Sequence, residues 1–204
     1  MKILVIGATG VIGKAVVKLL GQDNEIISVG NRSGDFTVDI NNKDSIQSLF
    51  ENVGKVDAII STTGKGEFGS LENMPDAGYQ LVLENKLMGQ VNLVRIGLNY
   101  LNKGGSITLT SGAAAIHPVP GSIAISMACA AVDAFVVSAA LELKDDKRIN
   151  AVSPSFVKET MEMMGMDSTT GIPAKDVALF YQASINSQSN GKVFQTIEDK
   201  HEHG

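Results

Sequence analysis

Three glycines stand between an apolar strand pattern and a helical pattern at the start of the chain, and this feature constrains the fold most. The segment Lys2–Ile6 is almost continuously apolar, as expected of a strand covered on both faces by helices. Gly7, Gly10 and Gly13 follow at once and lead into the helical pattern Val11–Leu20. Such glycines permit a tight turn, close approach of the backbone to a pyrophosphate, and close packing of helix on strand.

The glycine loop allows two interpretations. The glycines could serve only to turn the chain, which is the more common reason for a short glycine motif. Their position at the first turn of a strand–helix unit favours a dinucleotide-binding site instead. The residues predicted to contact the cofactor in this loop are Gly7, Thr9, Gly10, Val11 and Ile12.

Strand patterns and helical patterns alternate along the rest of the chain. Such alternation with short connections predicts a doubly wound parallel sheet with helices on both faces. The predicted strands are Lys2–Ile6, Glu25–Val29, Phe36–Asp39, Val56–Ser61, Ser106–Thr110, Arg148–Val152 and Lys192–Gln195. The predicted helices are Val11–Leu20, Lys43–Asn52, Gly78–Leu101, Ser122–Leu143 and Ala174–Ile185. No linker-like segment interrupts the pattern, so we expect residues 1–204 to form one α/β domain of the Rossmann type.

Charge and composition exclude several classes of function. Seventeen basic against twenty-two acidic residues give a net charge of −5. No Lys/Arg cluster stands out, which argues against binding of nucleic acid or of an anionic membrane surface. A single cysteine, Cys129, and three histidines, two of them close to the end of the chain, argue against a disulfide and a metal site. With no signal-peptide pattern at the start, we expect a cytoplasmic protein.

The longest apolar tract runs over Ile125–Leu143. Ser126, Asp133 and Glu142 interrupt it, so we interpret it as a buried helix and not as a membrane span. The tail Asp199–Gly204 is polar, and we expect it to be disordered.

The residues after the second predicted strand favour NADP(H) over NAD(H). An acidic residue there would bind the ribose diol of NAD, whereas a basic residue accommodates a 2′-phosphate. The chain has no carboxylate there until Asp35, and it offers Arg32 as a guanidinium fork, with Asn31 and Ser33 as neutral donors. The competing interpretation is a solvated arginine in a polar loop.

The glycine spacing and a later segment resemble the short-chain dehydrogenase/reductase superfamily. Gly7, Gly10 and Gly13 are three residues apart, and Arg148–Pro154 is similar to the sixth strand of that family and the turn beneath the nicotinamide. Ser155 departs from the glycine that is usual there. The resemblance extends to about residue 193 and implies a nicotinamide-dependent oxidoreductase.

The resemblance also implies cofactor contacts at the ends of further strands. The adenine contact falls on Asp39 and Ile40. The turn after the fourth strand and the turn beneath the carboxamide would supply the remaining contacts, which are Ser61, Thr62, Gly64, Pro154, Phe156 and Val157.

The catalytic pattern of the family is incomplete in this chain. A serine at the end of the fifth strand polarises the substrate carbonyl in the family, and Ser111 matches it, although it could also be a hydroxyl that caps the strand. The family also uses a tyrosine as proton donor and a lysine four residues later that lowers the pKa of that tyrosine. These two positions hold Ile125 and Cys129 here. Cys129 is interpreted as a small buried apolar residue, because no base or cation is close in sequence.

Lys86 offers a replacement for the missing lysine. In the family an asparagine occupies an N-x-x-G pattern on the long helix, and Lys86 matches that position. We predict that its ammonium orients the nicotinamide ribose and supplies positive charge. The alternative alignment puts Asn85 at this position and leaves Lys86 on the surface.

His117, six residues after Ser111, is a further candidate acid, although most such histidines are ordinary loop residues.

Residues 155–173 correspond to the substrate loop of the family. They carry Met161, Met163, Met164 and Met166, which could form an adaptable lid over an apolar substrate or pack a helix.

The resemblance implies hydride transfer between NADP(H) and a small carbonyl or alcohol, in a homodimer or homotetramer. The alternative is a non-catalytic NADP(H)-binding sensor or scaffold, since the fold alone does not decide activity.

Overall fold

Seven parallel strands form one sheet in the computed structural model, which describes residues 1–196. The strands are β1 (Lys2–Ile6), β2 (Glu25–Gly30), β3 (Phe36–Thr37), β4 (Val56–Ser61), β5 (Leu101–Thr110), β6 (Arg148–Ser153) and β7 (Val193–Gln195). Their spatial order is β3-β2-β1-β4-β5-β6-β7, with every neighbouring pair parallel. The order changes direction between β1 and β4, and ligands of such sheets bind at the carboxyl ends of the strands at this point. The predicted doubly wound Rossmann-type fold is confirmed.

Seven α-helices connect the strands. They are α1 (Val11–Leu20), α2 (Lys43–Val53), α3 (Asp76–Val82), α4 (Gln90–Gly97), α5 (Ile123–Ala140), α6 (Lys158–Met163) and α7 (Ala174–Asn186). A π-helical segment, Leu83–Gly89, joins α3 to α4, and 3₁₀ turns cover Leu98–Tyr100 and Ala113–Ala115. The helices α2, α4 and α5 cover one face of the sheet around Phe50, Leu93 and Val132. The helices α1 and α7 cover the other face around Val16 and Tyr181.

The prediction of one helix over Gly78–Leu101 is wrong at both ends and in the middle. Helical structure begins at Asp76, passes through the π-helical segment, and ends before Leu101. Leu101 is buried and pairs with Val56, so it already belongs to β5. Gly97 lies where the helix meets the Phe50 ring, and a β-carbon there would be 2.7 Å from Phe50 Cζ. The end of α4 therefore lies where the helix packs against α2. The hydrophobic periodicity of the sequence does not contain this contact.

Helix α5 is long and apolar enough to cross a membrane by length and composition alone, with a mean hydropathy of 2.0. In this structure it covers the sheet, and Val132 and Val136 are fully buried in the core. The interpretation as a buried helix therefore holds for one face only, since Met127 and Val137 on the same helix are about half exposed. The expected disorder of the tail, residues 199–204, lies outside the described residues.

Candidate active site

The glycine loop forms a phosphate cradle at the start of α1. Gly7 has a φ of +89°, and a β-carbon there would lie 2.7 Å from the Thr62 hydroxyl. Gly13 packs so closely that a β-carbon would lie 2.0 Å from the Gly7 carbonyl oxygen. Helix α1 begins after Gly10 with no side-chain cap and no acidic residue in its first turn. Its first amides therefore lack intrahelical acceptors, and Thr9 and Gly10 are exposed, so the loop fits a pyrophosphate.

The end of β2 presents a cation and no free carboxylate. Arg32 is exposed, and within residues 1–196 its guanidinium has no hydrogen-bond or ion-pair partner, while Asn31 and Ser33 beside it are exposed as well. Asp35 accepts hydrogen bonds from the backbone N–H and the hydroxyl of Ser28, both at 2.8 Å. The backbone bond is the main cause that lowers the pKa of the Asp35 carboxyl. The nearest acid is thus turned back onto β2, away from a ribose at Arg32.

The residues proposed for the adenine pocket lie on a cross-linked loop. Asp39 is exposed, whereas Ile40 is largely buried and packs against Gly89. The Asn85 amide donates to the Asn41 side chain at 3.0 Å, and its oxygen accepts from the Lys65 backbone N–H at 2.8 Å. Asn85 therefore ties together the loops that follow β3 and β4.

A cavity of about 450 Å³ opens beside the glycine loop, at the carboxyl ends of β4, β5 and β6. It brings together residues predicted from separate parts of the sequence, namely Ile12, Thr62, Gly64, Lys86, Ser111, Pro154, Phe156 and Val157. Ser61 is not part of it, because it is fully buried with its hydroxyl 2.8 Å from the Thr63 hydroxyl. The Ser61 side chain therefore does not line the cavity, and the contact of Ser61 with the cofactor stays a prediction.

The π-helical segment turns two consecutive residues inward. Asn85 and Lys86 are only 7% and 8% exposed. Adjacent residues are buried in regular helices of this protein as well, such as Leu93 and Val94 on α4, but here both buried residues are polar. The Lys86 ammonium donates to the Ser111 carbonyl oxygen at 2.9 Å. Lys86 is thus not a surface lysine, so that part of the alternative alignment is wrong. Asn85, the residue that the alternative alignment placed in the site, is buried as well.

Gln90 fixes the backbone of Lys86 against β5. Its amide nitrogen donates to the carbonyl oxygens of Lys86 and Thr110, at 2.8 and 2.9 Å. Its amide oxygen accepts from the Thr110 N–H at 2.9 Å. Gln90 is fully buried, and its amide nitrogen and its amide oxygen both have hydrogen-bond partners. It therefore joins the π-helical segment to the strand end that carries Ser111.

Ser111 is fixed between β6 and α5. Its backbone N–H donates to the Val152 carbonyl at 2.9 Å, and its hydroxyl reaches the Cys129 carbonyl at 3.3 Å. Burial raises the pKa of the Cys129 thiol, which fits a small apolar residue better than a nucleophile. Ile125 and Cys129, the residues matched to the family's tyrosine and lysine, both line the cavity.

The turn beneath the cavity has a free amide where a carboxamide would bind. The Pro154 and Phe156 carbonyls accept from Ala113 and Ile172, each at 2.9 Å. Within the described part of the chain, the Val157 N–H donates no backbone hydrogen bond. This turn therefore fits the predicted contact with the nicotinamide amide group.

Apolar side chains surround the mouth of the cavity. Phe68 and Val119 line it from two loops, and His117 lies between Val119 and the 3₁₀ turn. In the substrate loop Met161 is buried, whereas Met163 and Met164 are 78% and 54% exposed. Met161 therefore packs in the interior, as the helix-packing interpretation predicts. Met163 and Met164 are exposed, and a lid formed by them stays a prediction.

Two residues of the site were missed by sequence reasoning. Asp133 has a carboxyl pKa that burial raises and that Ser111 and Lys86 lower, and its signal was its position as the lone charge of α5. Gln90 had no signal, because a polar residue on a long helix normally faces solvent. Among residues 1–196 no group of three or more His, Cys, Asp or Glu side chains is placed to hold a metal ion.

Comparison with known proteins places this site in a family. Residues 11–183 match a family model described as enoyl-(acyl carrier protein) reductase. Versicolorin reductase stcU of Emericella nidulans is 28% identical over 183 residues, which cover 78% of this chain and 69% of that protein. Other curated relatives are covered over 42% to 76% of their length.

Two solved structures share the whole fold. The protein lin1944 from Listeria innocua is 40% identical with a TM-score of 0.93, over 97% of this chain and 100% of that one. A small-chain dehydrogenase in complex with NADPH is 25% identical with a TM-score of 0.87, over 96% of each chain. With the family-model match over most of its length, the chain belongs to the short-chain dehydrogenase/reductase superfamily of oxidoreductases.

Proposed function

We propose that the protein is an NADP(H)-dependent oxidoreductase that moves a hydride between the nicotinamide and a small carbonyl or alcohol. The observation that carries this proposal is the buried Lys86 ammonium at the Ser111 strand end, in a cavity that borders the glycine loop. A cation and a hydroxyl beside a cofactor pocket suit the stabilisation of negative charge on a substrate oxygen. Similarity to a dehydrogenase in complex with NADPH supports the choice of cofactor.

Ser111 and Lys86 have separate roles in the proposed reaction. The Ser111 hydroxyl, which donates to the Cys129 carbonyl oxygen at 3.3 Å, turns to donate its hydrogen to the substrate oxygen instead and polarises the carbonyl. The Lys86 ammonium has three donors, of which one is used by the Ser111 carbonyl. The other two are available for the nicotinamide ribose hydroxyls and for charge that develops on the substrate. Bound NADPH supplies the hydride.

Arg32 and the glycine loop account for cofactor choice. The exposed guanidinium matches the geometry of a phosphate and can form two parallel hydrogen bonds with it. The nearest acid, Asp35, is engaged by Ser28 and does not compete for the same site. We therefore expect NADPH to bind more tightly than NADH.

The test is a titration of the purified protein with NADPH and NADH, followed by nicotinamide fluorescence. The chain has no tryptophan, so indole emission does not interfere. NADPH consumption is then measured with a panel of small aldehydes and ketones. Tight NADPH binding with turnover supports the proposal, whereas preference for NADH would contradict the assignment of Arg32.

A non-catalytic NADP(H)-binding sensor or scaffold is the second candidate. It is favoured by Ile125 and Cys129, which line the cavity where the family has its proton donor and lysine. NADPH binding with no turnover across the carbonyl panel would support this candidate.

We also propose a homo-oligomer formed through the outer face of α5. Met127, Val137 and Leu141 are 49%, 52% and 86% exposed on or just after this helix. Exposed large apolar side chains on one helix suit contact with a second copy of the chain. Light scattering coupled to gel filtration is expected to give a dimer or tetramer, and Val137→Glu should shift it toward the monomer.

A further inference from the structure

An apolar rim borders part of the cavity. It consists of Phe68, Val119 and Ile125. The Gly69 N–H donates to the Gly121 carbonyl oxygen at 2.9 Å, so the loop that follows β4 is joined to the loop that precedes α5. Gly66 packs on Ile125, because a β-carbon at Gly66 would lie 3.0 Å from Ile125 Cδ1. The rim is therefore held together by contacts between two loops and the start of α5.

The rim is open to solvent although its residues are apolar. Phe68 is 47% exposed and Val119 is 38% exposed. The stacked ring pair among residues 1–196 is Phe50 with Tyr100, and Phe68 is not part of it. The residues predicted to contact the cofactor do not include the rim. An apolar group of a substrate would therefore remove this surface from water, and a flat ring could stack on Phe68.

Most hydroxyl groups of the cavity lining are already hydrogen-bonded within the protein. Four lining residues have such a partner, namely Thr62, Thr63, Thr110 and Ser122. The Thr110 hydroxyl, for example, donates to the Ser61 carbonyl oxygen at 2.6 Å. The other lining hydroxyls belong to Ser111, Ser155 and Thr160. A substrate with many hydroxyl groups would thus find fewer hydrogen-bond partners here than it has in water, and its binding would be weakened.

The charges of the lining do not favour an acidic substrate either. Among residues 1–196, no Asp, Glu or Arg lines the cavity, and Lys86 and His117 are its basic side chains. The Lys86 ammonium already donates to the Ser111 carbonyl oxygen. Its other two donors serve the ribose and the substrate oxygen in the proposed function. A carboxylate on the substrate would compete with these groups for Lys86.

We propose that the substrate is a carbonyl compound with a flat apolar group, such as an aryl ketone, or the matching alcohol, and that Phe68 determines this specificity. The proposal rests on the proposed function and names its substrate class. The carbonyl oxygen meets Ser111 and Lys86, and the aryl group lies on Phe68. Ile125 contributes apolar surface where the family has its tyrosine. The cavity of about 450 Å³ falls in the range of roughly 300–1,000 Å³ that is usual for small-molecule sites.

The reaction expected of the simplest aryl ketone, acetophenone, is balanced. NADPH gives a hydride to the carbonyl carbon, and the π pair of the C=O bond becomes a lone pair on oxygen. That oxygen takes one proton that comes from solvent. The products are 1-phenylethanol and NADP⁺.

The first test measures binding and needs no turnover. Acetophenone is compared with dihydroxyacetone, a hydroxylated ketone, and with pyruvate, an acidic one. Saturation-transfer NMR and calorimetry follow each compound with the protein alone and with NADP⁺ present. We expect acetophenone to bind about 10-fold more tightly or better, as burial of an aromatic group predicts. Undetectable binding of acetophenone, or equal binding of either other compound, would overturn the proposal.

The second test removes the Phe68 ring. Phe68→Ala changes an exposed loop residue, so we expect the protein to fold and to bind NADPH as the wild type does. The Kd for acetophenone should rise by about 10-fold, whereas binding of dihydroxyacetone should not change. Phe68→Tyr keeps the ring and should keep acetophenone binding. Leu71→Ala is the matched control, because Leu71 is an exposed apolar residue of the same loop that does not line the cavity.

The two tests separate this proposal from the proposed function. Tight acetophenone binding that depends on Phe68, without NADPH-dependent reduction, supports the apolar site and contradicts the oxidoreductase. Reduction of dihydroxyacetone or pyruvate with a higher kcat/KM than acetophenone supports the oxidoreductase and contradicts the substrate class. Equal loss of acetophenone binding in Phe68→Ala and Leu71→Ala would show that Phe68 has no specific role.

Discussion

The Lys86 Nζ atom lies 2.9 Å from the Ser111 carbonyl oxygen, and the Gln90 side chain joins the backbones on which the two residues lie. Gln90 bonds the Lys86 carbonyl on one side and the backbone of Thr110, the residue before Ser111, on the other. The cation and the serine are thus positioned as one unit. This linkage makes the geometry of the site sensitive to changes that touch neither the cofactor nor the substrate.

Replacement of Lys86 by methionine should separate charge from packing. Methionine fills similar space in the buried site but removes the ammonium. We expect turnover to fall by roughly 100-fold and NADPH to bind more weakly, with little loss of folding stability. Steady-state kinetics and nicotinamide fluorescence check this, with Lys103→Met as the control on an exposed lysine. Wild-type binding and turnover in Lys86→Met would contradict the assigned role.

Replacement of Arg32 by glutamate should reverse cofactor preference. The guanidinium would be lost and a carboxylate, able to accept from a ribose diol, would take its place. NADPH affinity should fall by roughly 10- to 100-fold, as expected for one charged hydrogen-bonding group, while NADH affinity should be equal or better. Arg95→Glu changes the net charge equally at an exposed position of α4 and should leave both affinities unchanged. Equal loss in the two variants would mean that Arg32 acts only through net charge.

Replacement of Gln90 by leucine should destabilise the fold and the site together. The change leaves the Lys86 and Thr110 carbonyls and the Thr110 N–H without their partner in a buried place. The expected cost is roughly 3 kcal/mol in the free energy of unfolding, measured with urea. Gln47→Leu, an exposed glutamine on α2, is the control and should cost far less. A small cost for Gln90→Leu would show that water replaces these bonds.

The stability of Asp133→Asn relative to wild type should depend on pH. The pKa of Asp133 is raised in the folded protein by burial, above an ordinary value of 3.8. Its favourable contribution is therefore complete below that value and is lost as pH rises through the folded pKa. Asparagine does not titrate, so the variant should gain stability relative to wild type as pH rises from below 3.8 through the raised folded pKa. Urea unfolding at several pH values measures this, and a difference that is constant with pH would argue against a raised pKa.

The sheet and the cofactor loop could be predicted because their signals are local. Continuous apolar strands and the glycines at Gly7, Gly10 and Gly13 each report on neighbours within a few residues. The match of β1 and β4 to their predicted bounds follows from the same cause. Strand β5 begins earlier than predicted, at Leu101, because pairing with Val56 is a contact between distant parts of the chain.

The arrangement inside the site could be predicted only in part. Ser111 was predicted as a site residue because it follows the fifth strand, and in the structure it does follow β5. The inward position of Lys86 depends on a π-helical segment, for which the sequence offers no periodic signal. Asp133 looked like an interruption of an apolar tract, and no local pattern indicates that its Oδ1 atom is buried without a hydrogen-bond partner among residues 1–196. Long-range packing decides these placements.

The π-helical segment makes the site depend on the number of residues in one helix. A π turn holds about one residue more than an α turn, so Leu83–Gly89 behaves like an α-helix with a single inserted amino acid. Deletion of one residue there would allow regular α-helix from Asp76 to Gly97 and would keep the turns on either side in register, so only the wider turn itself would be lost. Asn85 and Lys86 lie in that turn, and their hydrogen bonds to Asn41 and Ser111 depend on its backbone. A single in-frame codon loss would thus leave the outer parts of the helix in place and change mainly the two residues that face the site.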